Sequence, residues 1–494
     1  MLHYPEGRLS VSYGLTDGIL DFKKIKHICN TNNGSSGSPL LSLTTYRIIG
    51  IHCGGTSTMN YGTFIKYAID EFKNGNQKLW NIQNNYAEYS IVPKTKNEMN
   101  NYYLNTETNL PSNMKNEIIN QETVVGSVMN ISNNINNSMH RTGLQNVGQT
   151  CYMNATIQCL SNISELSQRL LNIFNTKQFD IDKQPLTVAF SSLLCELINS
   201  KKKYIVPSLF KEIIGKLNPL FEGLHAADSK DLIFFIIEKL HKELNKAQQI
   251  QQQNYKIDYQ QQELDSRDEK KMYNKFINDF KQKNDSCISH YFYGIHRVTM
   301  KCENCGLTKY SFQAFNLLIF QLKKIKEEKK KVFGKYYQKL NLYNAFEVEQ
   351  KEELLKGENM IYCNGCKGLH NGKHRQQIFG LPSVMIVILN RGKDNRDFNE
   401  EFDIPEKLDF SNTNLIFNKD SYKKFFLCGV ITHIGESGSS GHFIAYCRNN
   451  PNNGFICYND SIVFDVSIKD AISTTISSED YEKRTPYILI YHTI

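Results

Sequence analysis

A chain of 494 residues with 40% hydrophobic and 11% aromatic content is long enough for several domains and a large core, and its 58 basic against 50 acidic residues leave a formal charge of only +8. Over this length that bias is too weak to argue for a nucleic-acid partner, and the longest apolar run, Val384 to Leu389, is far too short to span a bilayer. The opening residues, MLHYPEGRLS, lack the apolar core of a secretory signal, so the 13 cysteines are expected in a reducing, intracellular compartment, cytoplasmic or nuclear, as ligands, nucleophile or core residues.

Residues 1 to about 80 read as turns and short strands: NTNNGSSGSPLL is a glycine-serine turn leading into a strand, and YRIIGIHCGG is a second strand. The stretch resembles the C-terminal part of trypsin-like serine peptidases, with Gly34-x-Ser36-Gly37-Ser38-Pro39 at the nucleophile loop and Ile49-Gly50-Ile51-His52 followed by Gly54-Gly55 at the substrate-lining strand. A serine nucleophile needs a histidine base and an orienting acid. Only 35 residues precede Ser36, too few for the barrel that carries them in that family, so the expectation is an inactive half-domain. Residues 81 to 140 are Asn-rich without helix or strand period and read as a disordered linker.

Next comes Gly143 to Leu160, GLQNVGQTCYMNATIQCL. Gly143, Asn146, Gly148 and Thr150 form turns and caps, and from Cys151 the residues suit a helix with Met153, Ile157 and Leu160 on one face. Cys151 therefore stands where a loop becomes a helix. Free N–H groups and the positive end of a helix favour a thiolate there, and the same N–H groups can hold the oxyanion formed when it attacks a carbonyl. Asn146 is placed to add a side-chain donor. The alternative is a small buried cysteine opening a core helix.

The helical pattern runs on to about residue 245, where Asp231 to Leu240 is apolar nearly all round and should pack on several sides. Two insertions interrupt the folded part, near 246–285, Gln-, Glu- and Lys-rich at its start, and near 323–350, whose basic run Lys323 to Lys331 reads as an exposed insertion between strands. After Ser289 the pattern turns to strands. Cys302-x-x-Cys305 and Cys363-x-x-Cys366 each present two thiolates from one turn, and two such turns close a tetrahedral zinc site with no open position; a redox dithiol is the alternative, but a βαβ setting is missing.

Near the end, CGVITHIGESGSSGHFIAY places a strand ending near His433, a glycine-serine loop, and a strand starting at His442. An imidazole at the base of such a hairpin can take a thiol proton and return it to a leaving amine. In FICYNDSIV a strand ends at a polar turn, where Asn459 or Asp460 could accept the imidazole's second N–H.

The three boxes in this order closely resemble the ubiquitin-specific proteases, papain-like cysteine peptidases that remove ubiquitin. Gln145-Asn146-x-Gly148-x-Thr150-Cys151-Tyr152-Met153-Asn154 is similar to the family's cysteine box, and Gly429-Val430-x-x-His433 with Gly441-His442-x-x-Ala445-Tyr446 to its histidine box, so that the resemblance spans roughly residues 141 to 494. It implies an α+β fold with helical thumb, mixed palm and β fingers, preceded by the trypsin-like piece and linker. It implies Cys151 as nucleophile, His442 as base, Asn459 as third member with Asp460 as a possible sharer, and Asn146 as oxyanion donor. Cys302, Cys305, Cys363 and Cys366 would hold one structural zinc. The partners implied are ubiquitin and ubiquitinated proteins, without nucleic acid or membrane. The expected activity is hydrolysis of the bond after ubiquitin's C-terminal glycine; the alternatives are a catalytically weak ubiquitin-binding scaffold and a serine peptidase using Ser36. One departure is Ala227, where the family usually has Gln ahead of Asp228-Ser229-Lys230-Asp231.

Overall fold

In a computed structural model the described residues are 139–494, except 177–178, 248–265, 334–338, 358–359, 393–399, 419–422, 438–439 and 474–482, together with seven strands between residues 2 and 64. Ser36, the linker up to residue 138 and the Gln248–Gln253 run lie outside them. Two units divide the described residues: those within Met1–Tyr103, Lys301–Leu307 and Leu354–Lys373 form one, and those within Leu104–Met300, Thr308–Glu353 and His374–Ile494 the other.

In the first unit, β1 (Leu2–His3) pairs with β2 (Ser10–Val11), and five strands order as β3 (Thr16–Ile19), β4 (Lys24–His27), β7 (Asn60–Phe64), β6 (Ile48–Gly55) and β5 (Pro39–Leu41), all neighbours antiparallel.

The second unit opens with a short strand, β8 (Gly143–Leu144), paired parallel to β9 (Tyr204–Ile205). Helices follow: α1 (Cys151–Ser161), α2 (Ser164–Asn175), α3 (Pro185–Asn199), α4 (Ser208–Leu217), α5 (Ser229–Leu244), α6 (Glu269–Lys283) and α7 (Cys287–Phe292). All eleven residues of α1 are buried. Its polar positions are used: Asn154 Nδ2 donates to Leu144 O (3.2 Å) and Gln158 Nε2 to Thr142 O (3.0 Å), so one face of the helix holds the strand that leads to it. In α5, Leu232, Ile233, Ile236, Ile237 and Leu240 are fully buried, as its apolar sequence requires.

β10 (Gly294–Cys302), β11 (Thr308–Phe315), β14 (Glu353–Leu355) and β17 (Gly372–Gly380) form a four-stranded sheet in the order β11-β10-β17-β14. Part of the expected 246–285 insertion is the ordered helix α6, whose Tyr273 and Phe276 rings lie against Phe312 of β11.

The larger sheet has eight strands: β12 (Leu318–Gln321), β18 (Val384–Asn390), β25 (Arg484–Thr493), β21 (Lys424–Ser437), β22 (Ser440–Cys447), β23 (Phe455–Asn459) and β24 (Ile462–Val466) in that order, with β20 (Lys407–Asp409) also on β21. Strand β18 shows why its sequence is a continuous apolar run. Val384, Ile386 and Ile388 join the core beneath the helices, while Met385, Val387 and Leu389 join a second core on the opposite face.

That second core is closed by two helices, α8 (Leu322–Phe333) and α9 (Leu342–Glu349), where an exposed insertion was expected. Leu322 and Ile325 are buried, which converts the basic run into one face of a packed helix. Its lysines meet acids of this chain: Lys324 lies 3.4 Å from Glu349 and 3.5 Å from Glu353, and Lys329 lies 2.6 Å from Glu347.

One buried acid joins the helices. Glu243 of α5 accepts from the N–H groups of Leu186 (3.2 Å) and Thr187 (2.7 Å) and from the Thr187 hydroxyl (2.8 Å), capping α3. Glu243→Ala should cost about 2–4 kcal/mol, because it strands buried donors, and Glu243→Gln, which keeps one acceptor, should cost less; urea unfolding of the two variants against wild type measures this.

Candidate active site

The loop before α1 is organised by one side chain. Asn146 Oδ1 accepts from Gly148 N (3.1 Å), Thr150 N (3.0 Å) and the Thr150 hydroxyl (3.2 Å), and Thr150 Oγ1 accepts from Val147 N (3.0 Å). Gln149 takes a left-handed φ of 48°, and its Oε1 accepts from Ala226 N (3.0 Å). These bonds deliver Cys151 as the first residue of α1, 9% exposed.

The candidate base, His442, arrives on the adjacent hairpin. β21 runs past His433 to Ser437, further than the sequence suggested, and β22 begins at Ser440, because a bulge between Ile434 and Ser437 absorbs the glycine-serine stretch without ending the pairing. The bend depends on Gly435 and Gly441 at φ 149° and 154°. A Cβ on Gly441 would fall on the His433 ring, so no other residue fits there. His433 is buried, which lowers its pKa to about 4 and keeps it neutral.

His442, on the strand next to β23, receives the polar turn after β23 at hydrogen-bond distance. Its Nε2 lies 2.7 Å from Asn459 Oδ1 and 3.9 Å from Asp460 Oδ2. Nε2–H therefore donates to Asn459, and Nδ1 is left for the Cys151 sulfur, its other hydrogen-bond partner. The bond to Cys151 is the main cause that raises the His442 pKa to about 9; the bond to Asn459 and the charges of Cys151 and Asp460 act in the same direction, against burial. Of the two acceptors left open by the sequence, Asn459 makes the contact.

Asp460 sits in a left-handed turn (φ 49°) and binds elsewhere: Asn146 Nδ2 donates to its Oδ2 (3.0 Å), Asn154 Nδ2 to its Oδ1 (2.8 Å), and Leu144 N to its carbonyl (2.8 Å). One N–H of the Asn146 amide is thus committed to Asp460, and its second hydrogen is the one an oxyanion would use. The structure brings Asn146, Cys151, His442, Asn459 and Asp460 together. Asn154 and Gln149 were missed by sequence reasoning. The signal for Asn154 was an amide side chain one turn after the cysteine on the same helix; Gln149 carried none.

In the other unit, the sulfurs of Cys302, Cys305, Cys363 and Cys366 lie within 4.8 Å of one another, with Cys305–Cys363 at 3.5 Å and Cys302–Cys366 at 3.9 Å. A tetrahedral site with metal–sulfur bonds of about 2.3 Å has sulfur–sulfur edges of about 3.8 Å, so this set could hold a metal ion. The N–H of Cys366 also aims at the Cys363 sulfur and is the main cause that lowers its pKa to about 7.

No helix among the described residues is long and apolar enough to cross a membrane. The model of one family, ubiquitin carboxyl-terminal hydrolase, matches residues 142–491. Similar proteins include human ubiquitin carboxyl-terminal hydrolase 2 (25% identical over 71% of this chain and 54% of its own), Drosophila melanogaster ubiquitin carboxyl-terminal hydrolase Usp2 (24%, over 71% and 34%) and rat ubiquitin carboxyl-terminal hydrolase 15 (29%, over 39% and 20%). The chain thus spans about half the length of the human relative and less of the other two. With a family match over most of the folded part, enclosing every residue of the cysteine–histidine–asparagine constellation, this mixed α and β chain belongs to the ubiquitin carboxyl-terminal hydrolase family.

Proposed function

We propose that this protein is a cysteine-dependent deubiquitinase that hydrolyses the isopeptide or peptide bond after the C-terminal glycine of ubiquitin. The observation that carries the reading is the Cys151–His442–Asn459 relay, in which the thiol's partner has its second nitrogen fixed at 2.7 Å. With the proton on His442, the Cys151 thiolate attacks the glycine carbonyl carbon, and the oxygen takes the charge beside Asn146 and the N–H groups opening α1. The C–N bond breaks as the imidazolium protonates the leaving amine, giving a thioester. His442 then takes a proton from water, whose oxygen attacks the thioester; the C–S bond breaks and ubiquitin leaves with a free carboxylate.

The reading includes the finer architecture. The helices α1–α5 serve as a thumb, the eight-stranded sheet as a palm, and the strands around the four cysteines as fingers whose shape a structural zinc maintains through Cys302, Cys305, Cys363 and Cys366. Ubiquitin and ubiquitinated proteins are the partners, in the cytoplasm or nucleus. The N-terminal trypsin-like segment has no part in this chemistry.

The test is a ubiquitin bearing a C-terminal electrophile, read by intact mass. Wild type should gain one ubiquitin and Cys151→Ala none. Binding of the probe by wild type without any adduct would replace the enzyme with a scaffold, a reading to which Ala227 lends itself, and an adduct on Cys151→Ala would move the nucleophile elsewhere. A fluorophosphonate should leave Ser36 unlabelled.

A pH profile follows from the His442 shift. The pKa is raised from 6.5 to about 9, so the charged imidazole persists below about 9 and is lost above it. The stabilisation from this pairing is complete below about 6.5 and fades as pH climbs through 9. On the alkaline side, kcat/KM for a ubiquitin–coumarin reporter should fall with a limb near 9; a limb near 6.5 would mean that sulfur and imidazole do not pair.

A further inference from the structure

Two acceptors compete for one imidazole nitrogen: Asn459 Oδ1 holds His442 Nε2 at 2.7 Å, and Asp460 Oδ2 waits at 3.9 Å. A carboxylate is the stronger partner for an imidazolium, yet the neutral amide has the position. The reason lies in what grips the carboxylate. Its Oδ1 accepts from Asn154 at 2.8 Å and its Oδ2 from Asn146 at 3.0 Å. Asn154 is 2% exposed and stands one turn after Cys151 on the same helix, where its Nδ2 bridges Asp460 and Leu144 O, while its own Oδ1 is buried and accepts no hydrogen bond. An amide that leaves its acceptor empty in a buried site is there for its donors. The helix that carries the sulfur thus also ties down the acid on the far side of the imidazole.

The geometry points to Asn154 as a positioning residue: together with Asn146 it tethers the Asp460 carboxylate to the nucleophile's helix and so reserves His442 Nε2 for Asn459. The inference rests on the deubiquitinase reading above and names a residue within it. The titratable groups that act on His442 are Cys151 on α1 and Asp460 after β23, and His433 on β21 stays neutral beside it. If the tether is cut, Asp460 turns onto Nε2, the imidazolium holds its proton more tightly, and the alkaline limb of activity moves up. Asn154 touches no reacting atom, so kcat should fall with little change in KM.

The experiment measures kcat and KM for the ubiquitin–coumarin reporter from pH 6 to 10 on the full chain. Asn154→Ala, or Asn154→Ser should the alanine not fold, is expected to lower kcat about tenfold, change KM less than twofold, and raise the limb by about half a pH unit or more. In Asp460→Asn no carboxylate remains to be released, so adding the Asn154 change should leave its limb where it is. A limb that stays put in the Asn154 variants, or rises equally with Asp460→Asn present, overturns the inference and leaves Asn154 a packing residue. Cys151→Ala separates the two failures: wild-type turnover in that variant sinks the deubiquitinase reading, whereas an inactive Cys151→Ala with an unmoved Asn154 limb sinks this inference alone.

Discussion

His442→Ala should lower kcat/KM for a ubiquitin–coumarin reporter by roughly three to four orders of magnitude, about 4–5.5 kcal/mol of transition-state stabilisation. The loss is large because one ring serves three purposes in the proposed mechanism. It is the hydrogen-bond partner of the sulfur, the only route by which Asn459 acts on the nucleophile, and the proton source for the leaving amine. The effect should not add to that of Cys151→Ala, since either change disables the same relay. Ubiquitin binding should survive in both variants: Cys151→Ala removes a single sulfur atom from a helix whose other residues stay packed, and His442 is about one-third exposed on a strand held by β21 and β23. A Kd within a few-fold of wild type beside a collapsed kcat is the expected pattern. Retention of a tenth or more of wild-type turnover by His442→Ala would exclude it as the base.

Disabling the proposed four-cysteine zinc site should have the second large effect. The two cysteine turns and the short strands β15 (Ile361–Cys363) and β16 (Gly368–His370) offer little core, since Tyr362 and Leu369 are 48% and 60% exposed and Ile361 is the buried apolar residue of the pair. Apparent binding energies for a four-cysteine zinc site are of the order of 10 kcal/mol or more, far above what so small an apolar cluster supplies. Purified protein is expected to carry about one zinc per chain by elemental analysis. Cys302→Ser or Cys366→Ser should abolish that zinc and open residues 354–373 to limited proteolysis. Metal-free protein whose 354–373 segment resists protease as wild type does would show that packing, not metal, holds these turns.

The site was legible where its chemistry needs unusual residues at unusual places. A cysteine at a loop-to-helix junction, a histidine after a glycine-rich turn and paired dithiols announce themselves, because few structural demands produce them. The two-sided burial of β18 could be read from its unbroken apolar run, and the central helix α5 from its all-round hydrophobicity. What failed to show was decided by tertiary contacts. The lysines of α8 look like a solvated run until Glu347, Glu349 and Glu353 are brought against them. The end of β21 looks like a loop because glycine and serine mark turns locally, whereas here Gly435 and Gly441 take up the positive φ of a bulged hairpin whose pairing continues to Ser437. The choice between Asn459 and Asp460 was open in the sequence, because it is made by Asn146 and Asn154, more than 300 residues away along the chain.

The complete enclosure of α1 bears on how the proposed activity can be controlled. A helix with no solvent face cannot slide, tilt or fray by itself, so its amides should exchange with deuterated water only when the whole unit opens. An activator or inhibitor that works by shape change would therefore leave the sulfur where it is and act on the other partner, through the β21–β22 hairpin that brings the imidazole to it.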